Sequence, residues 1–153
     1  MYSLVLNNLT WNDMFKILFS DLKQGRLLRG PYIGYSLLLT LAMLVFVFAT
    51  VFSIGVAEHI VGGDLTKAQQ QLENWLAGPY ILMLIAFSAA YLFASFNIMA
   101  KRIRDTGISG WWGTLVIVVI ELAVSALITG GIASLIHIAI TAAIVFIPSN
   151  YFK

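Results

Sequence analysis

The sequence contains little charge and no cysteine. Charged residues make up 10% of its 153 residues, whereas a soluble domain carries about 25%. Hydrophobic residues make up 60%, which leaves too little polar surface to cover a globule in water. The absence of cysteine excludes disulfides and thiolate metal sites. The composition therefore indicates an integral membrane protein and argues against a soluble domain.

Residues that carry chemistry are also scarce. The two histidines, His59 and His137, stand far apart and have no carboxylate pairs beside them, so no metal site is expected. The sequence has no glycine-rich phosphate loop, zinc signature or paired-carboxylate motif. Ser109 lacks a nearby histidine–carboxylate arrangement and is expected to cap a helix instead. We therefore expect no catalytic residue, no cofactor and no enzymatic activity.

Four apolar stretches predict an all-α membrane domain over residues 1–153. The predicted spans cover about 32–57, 76–100, 111–129 and 132–147. A hairpin at Gly130 and Gly131 is favoured, since one helix over 111–147 would be about 55 Å long and exceed a bilayer. The first apolar stretch begins too late and runs too long for a cleaved signal peptide.

The N-terminal segment predicts an amphipathic interfacial helix over 10–24, with Thr10 as its cap. Its apolar residues recur at helical spacing: Trp11, Met14, Phe15, Leu18, Phe19 and Leu22. This stripe faces either the acyl chains or the protein's own spans, and the sequence favours neither. A second short surface helix is predicted over 66–75, inside the polar stretch 58–74.

The distribution of lysine and arginine predicts the orientation. In a four-span chain, eight of the nine basic residues fall on one side: Lys16, Lys23, Arg26, Arg29, Lys101, Arg102, Arg104 and Lys153. The ninth, Lys67, lies in the stretch 58–74 on the other side. Because cytoplasmic loops are enriched in lysine and arginine, both termini are expected in the cytoplasm. The net charge of +2 is then expected to meet anionic lipid headgroups, not nucleic acid.

Two motifs flank the predicted spans. One is Arg-Ile-Arg-Asp-Thr-Gly at 102–107, followed by Ser-Gly-Trp-Trp at 109–112. The other is the neck, residues 25–32, with Gly25, Arg26, Arg29 and Tyr32. Together they resemble the domain of unknown function 805 family, over roughly 11–151, although Arg104 stands where that family usually has histidine. The resemblance implies a small bacterial inner-membrane protein and implies no particular activity.

The stretch 101–112 is interpreted as a short cytoplasmic turn, and two roles are open for its charges. They belong to what we call the basic cluster: Arg26, Arg29, Lys101, Arg102, Arg104 and Asp105. Its guanidinium groups are suited to the phosphate of a lipid headgroup or of a phosphorylated partner. Alternatively, Asp105 pairs with Arg26 or Arg29 and joins the neck to the turn. The second role is favoured, since membrane topology alone already requires cytoplasmic cations.

Polar and aromatic residues inside or beside the spans complete the candidate sites. Glu121 is expected about 15 Å into the membrane, within reach of His137 on the next helix. Such a pair serves either proton or ion passage or a structural hydrogen bond. Asn97 is expected to hydrogen bond between helices. The indoles are expected to anchor at the membrane interface, and they belong to Trp75, Trp111 and Trp112.

These features leave three hypotheses for function. The favoured one is a non-enzymatic interaction or accessory subunit, oligomeric through the small residues Ala86, Ala90 and Ala94. The second is a small transporter or channel component that uses Glu121 and His137. The third is a protein that binds anionic lipid through the basic cluster.

Overall fold

All regular structure in the described residues is α-helical, which confirms the all-α part of the predicted fold class. The computed structural model describes residues 11–128 and 131–152, apart from the side chains of Val56, Ala57 and His59. Its helices are α1 (Trp11–Phe19), α2 (Arg29–Ile54), α3 (Val56–Val61), α4 (Leu65–Ala77), α5 (Tyr80–Thr106), α6 (Gly110–Leu127) and α7 (Gly131–Phe146).

Among the described residues, α2, α5 and α6 are long and apolar enough to cross a membrane. The fourth apolar helix, α7, has 16 residues and is shorter than these three. The first span ends earlier than predicted, because Gly55 adopts a positive φ of 73° and separates α2 from α3. The second begins at Tyr80 instead of residue 76, because Gly78 is extended and Pro79 follows it.

The stretch 101–112, predicted as a turn, is mostly helix. α5 continues for six residues past Ala100 and ends at Thr106. The chain reverses at Gly107, whose φ is 107°, and α6 begins at Gly110. Lysine, arginine and aspartate can all extend a helix, so charge alone did not mark its end.

The structure describes one of the two predicted helix caps, Ser109, and both sides of the predicted hinge at Gly130 and Gly131. Ser109 occupies the N-cap position of α6, but its side chain makes no capping hydrogen bond. Thr10 lies outside the described residues, as do Thr129 and Gly130 of the hinge. The α6 helix ends at Leu127, and Ile128 is extended with φ −120° and ψ 120°. A single helix over 111–147 is therefore excluded.

The chain divides into two compact units, and one is formed by residues 1–36 and 93–153. Its buried apolar side chains gather around the last third of α5: Leu18, Leu27, Tyr32, Tyr35, Ala94, Ile98, Ala100, Ile103 and Ile144. Ala94 is thus covered by the chain itself, so the predicted alanine stripe is not a free face over its whole length.

The other unit, residues 37–92, contains α3 and α4. Asp64 caps α4 by accepting a hydrogen bond from the backbone N–H of Lys67 at 3.2 Å. The rings of Phe46 and Phe87 stack with centroids 3.8 Å apart. The helix predicted over 66–75 is therefore present and slightly longer, as α4.

The first helix is shorter than the predicted range 10–24. It ends at Phe19, because Asp21 takes a left-handed conformation with φ 55°. Part of its apolar stripe packs on the protein itself, and part does not. Leu18 is buried and the Phe19 ring stacks on Phe93, whereas Trp11 and Phe15 remain exposed.

Candidate functional site

The candidate site is the C-terminal end of α5, where charged side chains are buried. Asn97, Lys101 and Arg104 follow each other at i, i+4 and i+7 and share one face of the helix. Arg102 and Asp105 lie on the neighbouring face. The exposed fraction is 0% for Asn97 and Arg102 and 3% for Lys101. Buried charges need partners, and the partners define the site.

Arg102 binds the C-terminal end of α7. Its guanidinium donates to the carbonyl oxygens of Ile144 at 3.0 Å, Val145 at 3.2 Å and Ile147 at 2.5 Å. The last carbonyls of a helix have no partner within the helix and carry partial negative charge. One planar cation therefore satisfies three of them at once.

Asp105 pairs with Arg102, and the predicted pairing with Arg26 or Arg29 is wrong. The Arg102 guanidinium and the Asp105 carboxylate are 2.5 Å apart. The same carboxylate oxygen accepts from the Ser149 hydroxyl at 2.6 Å. The prediction failed because it treated 101–112 as a turn, whereas a helix brings residues three apart together.

The backbone of Asp105 and Thr106 holds the C-terminal tail. The N–H of Asn150 donates to the carbonyl of Asp105 at 2.7 Å. The N–H of Phe152 donates to the carbonyl of Thr106 at 3.0 Å. The last carbonyls of α5 also have no partner within the helix, and the N–H groups of the tail supply their hydrogen bonds.

Lys101 and Asn97 bind the C-terminal end of α1. The Lys101 ammonium donates to the carbonyls of Ile17 at 2.6 Å and Ser20 at 2.7 Å. The Asn97 amide donates to the carbonyls of Leu18 at 2.8 Å and Ser20 at 3.2 Å.

Arg104 and Trp111 hold the segment that joins α1 to the neck. The Arg104 guanidinium donates to the carbonyls of Gly25 at 2.5 Å and Leu22 at 2.8 Å. The Trp111 indole N–H donates to the same Leu22 carbonyl at 2.8 Å. The N–H of Leu27 donates to the carbonyl of Lys101 at 3.3 Å. These contacts fix the irregular segment between α1 and α2 to α5 and α6.

Glycines allow α5 and α6 to approach closely. A Cβ atom on Gly110 would overlap the backbone carbonyl of Ala100. A Cβ atom on Gly113 would lie 2.6 Å from the Cγ2 atom of Ile103. The first contact involves backbone, which a side-chain rotation cannot relieve. Glycine at position 110 is therefore required by packing.

The remaining cations of the basic cluster are exposed. Arg26 reaches the Asn150 side-chain oxygen at 3.2 Å, and Arg29 begins α2. The cluster is therefore not one site. Four of its members bind the protein's own backbone and each other, and two face outward.

The structure brings Glu121 and His137 together between α6 and α7. The Nδ1 atom of His137 lies 3.0 Å from a carboxylate oxygen of Glu121. The pair lines a cavity of about 320 Å³, whose other walls include Phe96, Ser125 and Ala133. Among the described residues, no group of three or more histidine, cysteine, aspartate or glutamate side chains could hold a metal ion.

The three candidate interface tryptophans have different surroundings. Trp112 is 71% exposed. Trp111 is less exposed and is held by its hydrogen bond to Leu22. Trp75 stacks on Tyr80 with ring centroids 5.8 Å apart.

A family model matches most of the chain, including the neck, α5, α6, α7 and the tail. The model described as protein of unknown function (DUF805) matches residues 22–151. The chain belongs to the DUF805 family. No curated protein and no solved structure matches it significantly. The match to DUF805 begins at Leu22, which receives two of the hydrogen bonds above, and ends in the tail that α5 holds.

Sequence reasoning missed several residues that complete this DUF805 site. Ser149 and Asn150 showed no signal, because a serine and an asparagine in a short tail are common in any loop. The carbonyl acceptors of α1 and α7 belong to the backbone and have no side-chain signature. The spacing of Gly110 and Gly113 was a usable signal, since small residues one turn apart mark a close helix contact.

Proposed function

We propose that this DUF805 protein is a non-enzymatic interaction or accessory subunit of the bacterial inner membrane. In this proposal α2, α5, α6 and α7 all cross the bilayer, and both termini lie in the cytoplasm. The three long apolar helices support it. The lysine and arginine distribution supports the orientation. With 16 residues, α7 spans about 24 Å, which a locally thinned bilayer accommodates.

One observation carries the non-enzymatic assignment. The side chains best suited to chemistry, Lys101, Arg102 and Arg104, are engaged with backbone carbonyls of α1, α7 and the segment 22–25. Their role is therefore to fix helix ends. A rigid cytoplasmic end combined with widely exposed apolar helices is suited to binding other membrane helices.

Anionic lipid headgroups are the proposed membrane partner of the exposed cations. These cations are Lys16, Lys23, Arg26 and Arg29, all in the N-terminal segment. Juxtamembrane lysine and arginine are attracted to anionic lipid, each by about 1 kcal/mol near the surface. This set replaces the original basic cluster, because Lys101 and Arg102 are buried.

Purification of the full chain in native-lipid discs tests the accessory role. We expect a membrane protein, either another chain or a second copy, to remain bound at a fixed ratio. The destabilised variant Arg102→Met is expected to retain less of that partner. A chain that purifies as a monomer and retains no partner contradicts the proposal.

A second candidate function is proton or ion passage through the pair Glu121 and His137. The 3.0 Å contact beside a cavity of about 320 Å³ favours it. Ionisable groups inside membrane helices are often part of ion or proton pathways.

Proton flux into liposomes that contain the purified chain tests this candidate. Glu121→Gln removes the charge but keeps the shape, so we expect at least a tenfold loss of flux. Glu73→Gln, in α4, is the matched control and should leave the flux unchanged. Equal flux from Glu121→Gln and the unaltered chain contradicts proton passage through this pair.

A further inference from the structure

The Glu121 and His137 pair is incomplete within one chain. The contact at 3.0 Å uses one ring nitrogen and one carboxylate oxygen. In the described part of the chain, the Nε2 atom of His137 and the second oxygen of Glu121 have no hydrogen-bond partner. The side chain of His137 is 64% exposed.

The position of the pair makes this exposure costly. Glu121 is the twelfth residue of α6, so it lies about 16 Å along the helix from Gly110. If α6 crosses the bilayer, as the proposed function holds, that depth is close to the middle of the hydrocarbon. Polar groups at this depth face the interior of a bundle or a partner and avoid lipid.

We propose that a second copy of this chain covers the face and completes the site. The inference rests on the proposed membrane crossing of α6 and α7. About a two-fold axis, the Nε2–H of one His137 faces the free carboxylate oxygen of the other copy's Glu121. Each copy therefore donates one hydrogen bond from His137 and accepts one at Glu121. The Nε2 atom of His137 and the second oxygen of Glu121 then both have a partner.

Self-complementarity favours a second copy over an unrelated helix. The patch carries its own acceptor and its own donor, which is what an isologous contact requires. Small side chains beside the pair, Ser125 and Ala133, line the cavity and permit a close approach.

Single cysteines test the contact directly, because the chain has none of its own. Ser125→Cys and Ala133→Cys are expected to cross-link two copies in lipid with a short bifunctional maleimide. Val119→Cys and Leu135→Cys are the matched controls, since these residues are 57% and 65% exposed but do not line the cavity. They should cross-link at least tenfold less. Equal cross-linking at all four positions overturns the proposed face.

A pair exchange tests the chemistry. Glu121→Leu and His137→Leu should each weaken dimerisation in lipid by at least tenfold, measured by single-molecule photobleaching. The double variant Glu121→His with His137→Glu keeps one donor and one acceptor per copy and should restore the dimer. An unchanged dimer fraction in both leucine variants overturns the proposal, as does a purely monomeric unaltered chain.

The failure of this inference can be told apart from failure of the proposed function. Accessibility of α6 and α7 cysteines to water-soluble maleimide reports whether the helices cross the membrane. If the α6 and α7 cysteines are protected from maleimide but the chain is monomeric, only the proposed contact with a second copy is contradicted. Fully accessible helices would contradict the membrane crossing itself.

Discussion

At the scale of single residues, Arg102 has the densest set of contacts at the end of α5. It is fully buried and makes hydrogen bonds to Asp105 and to three carbonyls of α7 and the residue after it. A planar guanidinium suits this geometry because its donors point in fixed directions. Lysine, with one ammonium group, cannot reach all four acceptors.

Arg102→Met is expected to destabilise the protein by about 3–5 kcal/mol, because it leaves the buried Asp105 carboxylate and three carbonyls without their donor. Arg29→Met, at an exposed arginine, should change stability by no more than about 0.5 kcal/mol. Thermal or denaturant unfolding in detergent measures both. Equal stability of the two variants would show that the buried contacts contribute nothing.

A double-mutant cycle isolates the interaction between Arg102 and Asp105. Asp105→Asn keeps an oxygen that can accept from Arg102 and Ser149, so its loss should be smaller, about 1–3 kcal/mol. Because the two side chains touch, the double variant with Arg102→Met should deviate from additivity by about 0.5–3 kcal/mol. Strict additivity would contradict a direct pair.

At the scale of helices, the end of α5 provides the caps of α1 and α7. Helix C-termini leave carbonyls without partners, and cations nearby are favourable to the helix dipole. Lys101 and Arg104 share the face of α5 that meets α1 and the segment 22–25, whereas Arg102 lies on the neighbouring face and reaches α7. The cations that the sequence groups at this end of α5 thus stabilise the ends of neighbouring helices.

The contact between α5 and α6 gives a prediction at this scale. Gly110→Ala places a methyl group against the carbonyl of Ala100, so we expect a loss of at least about 1–3 kcal/mol. Gly34→Ala is the matched control, since nothing lies within 4 Å of a Cβ atom there. Alanine in that helix should be neutral or stabilising by up to about 1 kcal/mol. Unfolding in detergent compares them, and a harmless Gly110→Ala would contradict the close approach.

At the scale of the whole molecule, the distribution of lysine and arginine predicts the membrane topology. Single cysteines placed at Lys23, Lys67 and Phe152 allow it to be measured in intact cells. Lys67 has a side chain that is 66% exposed, so it should react with a membrane-impermeant maleimide from outside. Cysteines at the other two positions should react only after permeabilisation. Labelling of all three from the same side would contradict four crossings.

The sequence by itself determined that the chain is helical and apolar, and it predicted an orientation in the membrane. Low charge and long apolar stretches predicted helices long and apolar enough to cross a membrane, and grouped cations predicted an orientation, since hydropathy and charge bias act on composition and need no contacts. The helical spacing also placed Glu121 near His137 in depth. The motif at 102–112 and the neck were sufficient to identify the DUF805 family, and the family model that matches residues 22–151 confirms it.

Only the tertiary structure decided what the cations at the end of α5 bind. Their partners are backbone carbonyls of α1 and α7, 42 to 84 residues away in sequence. Backbone carbonyls are the same in every residue, so no pattern of side chains could identify them. The pairing of Asp105 was missed for a different reason: the sequence predicted a turn at 101–112, whereas the structure has a helix there, which places Arg102 one turn away.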